Sequence, residues 1–344
     1  MRILVTGGGG FLGGALVRRL RARGDEVRSF SRGAYPEMAA LGSTQFRGDL
    51  ADADAVARAA EGCETIFHAA AKAGIWGPHE EYQRVNVQGT EHVLAACRKH
   101  GIRRLVFTGS PSVTFDGRDQ EGVDESAPYA ARFLAHYPQT KAQAERLVLQ
   151  ANSAALATVS LRPHLIWGPG DHQLVPRILE RARAGRLWLL APRGKRVDSV
   201  YLDNAVDAHV LAAERLAPGG PVAGKTYFIT NGEPLPLEEL INGILGAAGL
   251  PPVTRRLPGW LAYAAGAGLE CVYGLLGRTQ EPPLTRFLAR QLATAHWFDI
   301  SAARRDLGYA PGVSIREGLR RLEKSLAGVK HDPPQAFGTV TKVL

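Results

Sequence analysis

The glycine-rich segment after the first predicted strand constrains the fold of this chain more than any other feature. Ile3–Thr6 is a short apolar run that ends in threonine, and a helical pattern from Phe11 to Arg23 follows the glycines. Glycine permits a tight turn, close approach of backbone N–H groups to a phosphate, and close packing of helix on strand. Because a helix N-terminus attracts anions, this segment predicts a dinucleotide pyrophosphate site. The residues expected to form it are Gly7, Gly10, Phe11, Leu12 and Gly13.

Short apolar runs alternate with helical patterns through the first half of the chain. The predicted strands are Ile3–Thr6, Glu26–Phe30, Thr44–Arg47, Thr65–His68, Arg104–Thr108 and Thr158–Leu161. The predicted helices are Phe11–Arg23, Ala53–Ala60, about Glu81–His100 and Ala135–Leu149. Strands separated by helices imply right-handed crossovers and a parallel sheet covered on both faces. The fold class is therefore α/β, a Rossmann-like doubly wound parallel sheet.

The alternation becomes looser after residue 170, where clusters of proline and glycine appear. We expect residues 1–170 to form the nucleotide-binding domain, with a returning segment near 196–216 that includes a strand at Val197–Tyr201. Residues 171–326 would then form a smaller, mostly helical C-terminal substrate domain. Residues 327–344 are expected to be a flexible tail.

The chain is basic, with a net charge of +9 and a pI near 9.7. Its arginines are spread over several predicted helices, and no aromatic-basic stacking surface or DNA-binding motif accompanies them, so a nucleic-acid partner is not expected. A phosphorylated cofactor, an acidic substrate or an acidic partner surface fits the charge better. Three widely separated cysteines give no disulfide framework and no metal-ligand spacing, and the start lacks a signal-peptide pattern. These features favour the cytoplasm.

One segment is unusually apolar. Leu257–Leu276 has twenty residues, and Glu270 is its only charge. That length just suffices to span a bilayer. The many small residues and the glutamate favour a buried or surface-associated helix over a span, so peripheral membrane contact through residues 257–276 is expected as one option.

The end of the second predicted strand indicates which dinucleotide binds. An NAD site usually places an acid here for the ribose hydroxyls, whereas this chain has Ser31 and Arg32. A guanidinium pairs well with a 2′-phosphate and stacks on adenine. We therefore predict NADPH/NADP⁺ as the cofactor, although an exposed arginine after a strand is common.

Two further segments are placed to contact that cofactor. Asp49 and Leu50 follow the third strand, where Asp49 would accept the adenine amino group. Alternatively, Asp49 caps the helix that follows. Ala69 and Ala70 end the fourth strand with small side chains that would let the cofactor lie close.

The pair Tyr137 and Lys141 has the i, i+4 spacing that puts both side chains on one helix face. A free phenol has a pKa near 10. A neighbouring lysine and an oxidised nicotinamide would lower that pKa, so Tyr137 is the predicted acid of a ketone reduction and Lys141 its partner on the ribose hydroxyls.

Two polar residues complete the predicted catalytic set. Ser110, just after the fifth strand, could hydrogen-bond the substrate oxygen, and Ser112 is its rival for that role. Asn86 lies near the start of a long helix. The alternative role for Asn86 is structural, as a residue that kinks or caps that helix.

These segments together resemble the extended short-chain dehydrogenase/reductases. The motifs are TGGGGFLG, GDL, HAAA, NVQGT, SPSV, YPQTK, LRPHLIWGPGD and YLDNAVDAH. The resemblance runs from Met1 to about Leu326, assigns the serine role to Ser110, and implies that Pro163 contacts the cofactor. Family members typically carry Ser or Thr where this chain has Gly109. The family also implies a homodimer formed through the two helices matching Glu81–His100 and Ala135–Leu149.

Within that family the chain is similar to the 3β-hydroxysteroid dehydrogenase branch, and particularly to bacterial 2-alkyl-3-oxoalkanoate reductases of long-chain olefin biosynthesis. The segments that carry this likeness are KAGIWG after the fourth strand, SRG, LVPR and EPPLTRFL. The resemblance implies NADPH-dependent reduction of a 2-alkyl-3-keto acid, an acyl β-keto acid, to the 2-alkyl-3-hydroxy acid in olefinic hydrocarbon biosynthesis. It leaves room for docking to other pathway enzymes. Lys72 and His164 are candidate partners for the substrate carboxylate. The alternative interpretation is that Lys72 is an ordinary exposed lysine and His164 a hydrogen-bonded histidine of the core.

Four alternatives stay open on the sequence. One is an NAD(P)-dependent 3β-hydroxysteroid or sterol dehydrogenase with the same catalytic residues. Another is a nucleotide-sugar epimerase or dehydratase, in which Arg32 would be unusual. The third is a dinucleotide-sensing regulator without catalysis, and the fourth is a membrane-anchored scaffold that depends only on residues 257–276.

Overall fold

The computed structural model describes residues 1–329. In that range the strands are β1 (Arg2–Thr6), β2 (Glu26–Ser31), β3 (Thr44–Arg47), β4 (Thr65–His68), β5 (Arg104–Thr108), β6 (Gln120–Val123), β7 (Ala157–Pro163), β8 (Ile166–Trp167), β9 (Leu189–Ala191), β10 (Arg196–Val197), β11 (Val200–Tyr201), β12 (Lys225–Ile229), β13 (Leu235–Pro236), β14 (Arg256–Pro258) and β15 (His296–Phe298). The α-helices are α1 (Phe11–Ala22), α2 (Pro36–Ala40), α3 (Ala53–Ala60), α4 (His79–Tyr82), α5 (Gly89–His100), α6 (His136–Gln150), α7 (Leu174–Arg183), α8 (Leu202–Arg215), α9 (Leu237–Ala247), α10 (Gly259–Leu275), α11 (Arg286–Ala293) and α12 (Ile315–Val329).

Seven parallel strands form the central sheet in the order β3-β2-β1-β4-β5-β7-β12. The chain moves outward from β1 to β3, then crosses back to β4 on the other side of β1. At such a reversal the carboxyl ends of neighbouring strands open a crevice that binds ligands. The predicted Rossmann-like doubly wound sheet is confirmed.

Apolar side chains cover both faces of this sheet. On one face α1 and α8 bury Leu16, Val17 and Val206, and on the other α3 and α5 bury Val56 and Val93. Burying each such side chain contributes roughly 1.5–3 kcal/mol. The carboxyl edge of the sheet is therefore a rigid base for the residues that follow the strands.

Four predicted elements have the predicted bounds, namely β3, α3, β4 and β5. The helix expected at about Glu81–His100 is interrupted: between α4 and α5 lies a π-helical turn, Gln83–Gln88. The Thr90 hydroxyl, in the first turn of α5, donates to the carbonyl of Asn86 in the π turn at 2.6 Å. A π turn holds one more residue than the α-helical turn it replaces.

The expected returning strand at Val197–Tyr201 was wrong. This segment is divided between β10, which pairs with β13 and β15, and β11, which pairs with β8. The seventh strand of the large sheet is instead Lys225–Ile229, beside β7. Helix α8, in the rest of the returning segment, does pack on the sheet.

A third apolar cluster lies between α7, α9 and α12 around Trp167 and Ile244. Helix α12 extends to Val329, so the first three residues assigned to the tail are helical, and the remainder lies outside the described residues. The division of the chain into domains at 170 and 326 stays a prediction.

The apolar segment 257–276 forms α10, whose only buried residues are Ala262 and Gly266. Its outward face is apolar throughout. That face consists of Trp260, Leu261, Ala264, Ala265, Gly268, Cys271, Val272 and Leu275. The single charge, Glu270, faces inward and accepts hydrogen bonds from the Arg286 backbone N–H at 2.7 Å and from its Nε at 2.5 Å. None of the helices within residues 1–329 has the length and apolarity needed to cross a membrane.

Candidate active site

The glycine loop after β1 is packed so closely against neighbouring backbone that two of its positions have no room for a side chain. Gly7 has φ +74°, and a Cβ there would lie 2.9 Å from the Cα of Ala70 and 3.0 Å from its nitrogen. At Gly13 a Cβ would lie 2.0 Å from the Gly7 carbonyl oxygen. The segment Ala69–Ala70 thus lies directly against the glycine loop, and the Ala70 N–H donates to the Thr6 hydroxyl at 3.2 Å. That the cofactor lies close to Ala69 and Ala70 stays a prediction.

The loop leads directly into the N-terminus of α1. Gly10 is the N-cap residue in extended conformation and provides no side-chain cap, and no acid occupies the first turn. Phe11 and Leu12 begin the helix, and Leu12 packs in the core. The first N–H groups and the positive end of the helix dipole therefore face the crevice, which suits a phosphate.

Ser31 and Arg32 follow β2 at the same edge. The Ser31 hydroxyl accepts from the Gly9 N–H at 2.9 Å, so it lies against the glycine loop. Arg32 is exposed. A hydroxyl and a guanidinium at this point form a suitable pair for a 2′-phosphate.

Asp49 lies opposite these residues after β3. Burial raises the pKa of its carboxyl, but hydrogen bonds from the Ala51 N–H and Arg84, with the charge of Arg32 nearby, hold that pKa below its usual value. Asp49 does not cap α3, since the cap is Asp52, which accepts from the Ala55 N–H at 2.9 Å. Leu50 is buried beside Gly89.

Helix α6 carries Tyr137 and Lys141 on one face, as predicted. The Lys141 ammonium is buried, lies 4.1 Å from the centre of the Phe107 ring and donates to the Thr108 carbonyl at 2.7 Å. Burial lowers the pKa of Lys141 to about 7, although the negative charge of Glu145 opposes that shift. Lys141 therefore titrates near neutral pH.

The pKa of Tyr137 differs from the expectation. We predicted that Lys141 would help lower it, but burial raises the pKa of the phenol, and the hydrogen bond with Ser110 only partly offsets this effect. The physical reason is that burial destabilises the charged phenolate by more free energy than one hydrogen bond from a hydroxyl group recovers. Tyr137 is consequently protonated at neutral pH, the form that an acid needs.

Ser110 is the serine beside Tyr137. It caps the short 3₁₀ turn Pro111–Thr114, and its Oγ shares a 2.8 Å hydrogen bond with the Oγ of Ser112, which is buried behind it. This arrangement favours Ser110 over Ser112 for contact with a substrate oxygen.

Asn86 uses its amide to join two parts of the site. Its Oδ1 accepts from the Lys72 N–H at 2.7 Å, and its Nδ2 donates to the Thr140 Oγ1 at 3.1 Å. Thr140 immediately precedes Lys141. Asn86 thus ties the segment after β4 to α6, and the expected helix irregularity at Asn86 is the π turn that contains it. A direct catalytic role for Asn86 stays a prediction.

Sequence reasoning missed His68, which connects the glycine loop to that π turn. Its Nδ1 lies 2.8 Å from the Thr6 Oγ1, and its Nε2 lies 3.0 Å from the Thr90 Oγ1. Because the Thr90 hydroxyl donates to the Asn86 carbonyl, His68 must donate from Nε2 and accept at Nδ1. Burial, with the charge of Lys141, lowers the pKa of His68 to about 3, so the ring is neutral.

A buried ion pair beneath Lys141 was also missed, although Glu145 stands one further turn along the Tyr137–Lys141 face. Its carboxylate accepts from Arg162 at 2.6 Å, from the Tyr129 hydroxyl at 2.8 Å and from the Ser160 hydroxyl at 2.7 Å. A Cβ on Gly109 would lie 2.7 Å from both the Glu145 Oε2 and the Ser160 Oγ. This cluster explains why glycine occurs at 109.

The remaining candidates lie around this centre. Pro163 ends β7 at the carboxyl edge of the sheet. Lys72 pairs with Glu81, and its ammonium lies 5.1 Å from the centre of the Tyr82 ring. His164 is buried, with its Nε2 2.8 Å from the His296 Nδ1. Lys72 and His164 thus have partners within the protein, which weakens their case as carboxylate ligands.

Among solved structures, the fold is similar to gox2253, with a TM-score of 0.77 and 26% identity over 95% of this chain and 98% of that one. It is also similar to UDP-glucose 4-epimerase of Thermus thermophilus in complex with NAD, with a TM-score of 0.73 and 27% identity over 95% and 99% of the two chains.

Sequence relatives are reductases and dehydrogenases. The 2-alkyl-3-oxoalkanoate reductase of Stenotrophomonas maltophilia is 56% identical over 330 residues, which cover 95% of this chain and 100% of that protein. The protein of the same name from Shewanella oneidensis is 51% identical over 94% of this chain and 85% of its own length. The 3-beta-hydroxysteroid dehydrogenase of Mycolicibacterium neoaurum is 38% identical over 92% and 89% of the two chains.

The sequence model of one protein family matches residues 4–258, a span that includes the glycine loop, Ser110, Tyr137 and Lys141. This match agrees with the relatives and with the extended short-chain dehydrogenase/reductase fold. The chain therefore belongs to the 3-beta hydroxysteroid dehydrogenase/isomerase family, a family of oxidoreductases that depend on a nicotinamide dinucleotide.

Proposed function

We propose that this chain reduces a 2-alkyl-3-oxoalkanoate to the 2-alkyl-3-hydroxyalkanoate with NADPH, a step of olefinic hydrocarbon biosynthesis. The observation that carries the proposal is similarity over nearly the whole chain to two 2-alkyl-3-oxoalkanoate reductases. The protonated Tyr137 beside Ser110 supports the direction of reduction, because the carbonyl oxygen must gain a proton.

The cofactor half of the proposal is supported by the residues around the glycine loop. The N-terminus of α1 suits a pyrophosphate, while Ser31 and Arg32 suit a 2′-phosphate better than a ribose diol. Asp49 and the backbone at Ala69 and Ala70 would hold the rest of the dinucleotide. When bound, NADPH supplies the hydride that reduces the carbonyl carbon.

Side chains of the protein donate a proton and a hydrogen bond to the carbonyl oxygen of the substrate. Tyr137 donates its phenolic proton to the carbonyl oxygen as negative charge develops there, and Ser110 donates a hydrogen bond to the same atom. The Lys141 ammonium donates to the Thr108 carbonyl, and its pKa is about 7. From this position Lys141 can contact the ribose hydroxyls. Asn86 positions α6 through Thr140.

Replacing Tyr137 by phenylalanine tests this mechanism. Loss of the proton donor should reduce kcat by about 10²- to 10⁴-fold and leave NADPH affinity unchanged. Tyr227→Phe, on the edge strand β12 where the hydroxyl donates to Asp306 at 3.0 Å, serves as the control and should behave like the wild type in turnover and NADPH affinity. Undiminished turnover by the Tyr137 variant would exclude the phenol as the acid.

The substrate is best tested in the direction of oxidation, since β-keto acids decarboxylate readily. Purified protein and NADP⁺ should form NADPH with racemic 2-alkyl-3-hydroxy acids of several chain lengths and remain inactive with steroid alcohols. The family and the Mycolicibacterium relative favour a 3β-hydroxysteroid dehydrogenase as the second candidate. Oxidation of steroid alcohols alone would select that candidate and reject the first.

The outward face of α10 supports peripheral contact with an anionic bilayer as part of this function. Trp260 is 73% exposed and Leu275 is 83% exposed, and such a contiguous apolar face marks an interaction site. Two exposed arginines border it: Arg290 lies over the Tyr263 ring at 4.6 Å and Arg278 over the Tyr273 ring at 5.3 Å. Exposed tryptophan and arginine beside an apolar face match a surface of anionic lipid headgroups.

Co-sedimentation with phosphatidylcholine vesicles, with and without phosphatidylglycerol, tests this contact. The wild type should bind only the anionic vesicles, and Leu275→Ser or Arg278→Glu should weaken binding. Arg58→Glu, an exposed charge reversal on α3, should not weaken binding. Absence of vesicle binding, or self-association that Leu275→Ser abolishes, would assign the face to something other than a bilayer.

A further inference from the structure

The ring of Tyr35 occupies a space between two glycines at the cofactor end of the sheet. A Cβ on Gly9 would lie 2.0 Å from the Cε2 and 2.2 Å from the Cζ of Tyr35, which is far inside van der Waals contact. A Cβ on Gly33 would lie 3.3 Å from the Cε2, Cζ and hydroxyl oxygen of the same ring. The ring therefore lies directly on the glycine loop, with its hydroxyl end at the turn that follows Arg32.

The backbone of Tyr35 is fixed from the opposite side. Its N–H donates to the Gln45 Oε1 at 2.8 Å, and its carbonyl accepts from the Gln45 Nε2 at 2.9 Å. Gln45 belongs to β3, while Tyr35 is the N-cap residue of α2. Two hydrogen bonds to one amide hold the residue in register, so the position of the ring is set by the sheet rather than by the loop alone.

Tyr35 shares its wall of the crevice with the residues expected to bind the 2′-phosphate. The Gly9 N–H, which lies under the ring, donates to the Ser31 hydroxyl. Arg32 and Gly33 form the turn beside the Tyr35 hydroxyl. A phosphate dianion at this turn would meet a guanidinium and two hydroxyls, a donor set of the kind that binds phosphate strongly.

We propose that Tyr35 determines the preference for NADPH, with its hydroxyl donating to the adenosine 2′-phosphate and its ring closing the pocket against Gly9. This inference rests on the proposed NADPH dependence. It also gives a reason for glycine at position 9 of the loop. Gly7, Gly10 and Gly13 serve the turn, the phosphate approach and the helix packing, whereas at Gly9 a side chain would collide with the Tyr35 ring and displace it.

Binding constants for NADPH and NADH test the hydroxyl. Tyr35→Phe keeps the ring and removes one hydrogen bond to a charged group, so NADPH should bind about tenfold more weakly or worse, with NADH unchanged. The same loss should appear with adenosine 2′,5′-bisphosphate and not with AMP, two probes without nicotinamide. Tyr227→Phe, a tyrosine on β12 at the opposite edge of the sheet from β2 and β3, should alter neither affinity.

A double-mutant comparison tests the ring. Gly9→Ala should weaken both dinucleotides in the wild-type background but cost little when Tyr35 is also alanine, because the clashing atoms are then gone. Equal damage in both backgrounds would refute the packing of ring on glycine, and tighter NADPH binding by Tyr35→Ala would mean that the ring blocks the pocket.

Different results would refute the NADPH dependence and the role of Tyr35. If the wild type binds NADH as tightly as NADPH, the proposed cofactor is wrong. If it prefers NADPH and Tyr35→Phe retains the same ratio, the cofactor stands and the role of Tyr35 is refuted.

Discussion

Replacing Glu145 by glutamine would remove the negative charge of a fully enclosed ion pair. Glu145 has no exposed side-chain surface, and Arg162 is only 4% exposed. Three side chains, Arg162, Tyr129 and Ser160, direct donors at the carboxylate. A glutamine fits the same space but leaves the guanidinium uncompensated and points an amide N–H₂ at other donors.

The expected loss of stability follows from that geometry. Removing one partner of a buried pair costs about 3–5 kcal/mol, because the remaining charge stays out of water. A protein of ordinary stability, about 5–15 kcal/mol, would still fold. Glu145→Gln should also shift the pKa of Lys141 further below 7, since the Glu145 charge is what opposes the burial of that ammonium.

Urea unfolding followed by circular dichroism would give the free energies, and a pH profile of kcat/KM would report the Lys141 shift. The exposed Glu323 on α12, replaced by glutamine, is the matched control and should stay within about 0.5 kcal/mol of the wild type. The double variant Glu145→Gln, Arg162→Leu should be more stable than Glu145→Gln alone, because it removes the unpaired charge. A loss below about 0.5 kcal/mol for Glu145→Gln would refute the reasoning.

Three further predictions concern Gly109, Lys141 and Asp198. Gly109→Ser should destabilise the protein by about 1–3 kcal/mol, because its Cβ would meet Glu145 and Ser160; a thermal melt equal to that of the wild type would contradict this. Lys141 holds its proton only to about pH 7 when folded, against about 10.5 when unfolded, so the free protein should gain stability as pH rises through that window. Lys141→Met should flatten this slope in denaturation series at several pH values, and parallel slopes would disprove it. Burial raises the pKa of Asp198 from 3.8 to about 6, so stability falls as pH rises between those values. Asp198→Asn should therefore be about 3 kcal/mol more stable at neutral pH and no more stable at a pH below 3.8, as urea midpoints would show.

The parts of the fold that depend on local patterns could be predicted from the sequence. The strand, glycine loop and helix at residues 3–23 follow from spacing within one short segment, and the i, i+4 spacing alone puts Tyr137 and Lys141 on one face. The bounds of β3 were recovered because Gly42 and Gly48 flank that strand.

The parts of the fold and site that depend on contacts between distant segments could not be predicted from the sequence. An apolar run such as Val197–Tyr201 has the same local pattern whether it joins the large sheet or a small one, and only pairing decides between them. The raised pKa of Tyr137 reflects how deeply the phenol is enclosed, which no spacing encodes. Likewise, Tyr35 meets Gly9 only because β1 pairs with β2 and brings the segments that follow these two strands together.

The π turn Gln83–Gln88 has a consequence for the tolerance of this chain to changes in length. The turn holds one residue more than a regular helix would. Deleting a single residue there would restore regular helical spacing and keep α4 and α5 in register, but it would move the side chains of the turn itself, Asn86 among them. Asn86 could then no longer reach both Lys72 and Thr140. A deletion that improves the helix would thus uncouple the segment after β4 from α6, so this stretch should tolerate substitutions on its outer face far better than any change in residue number.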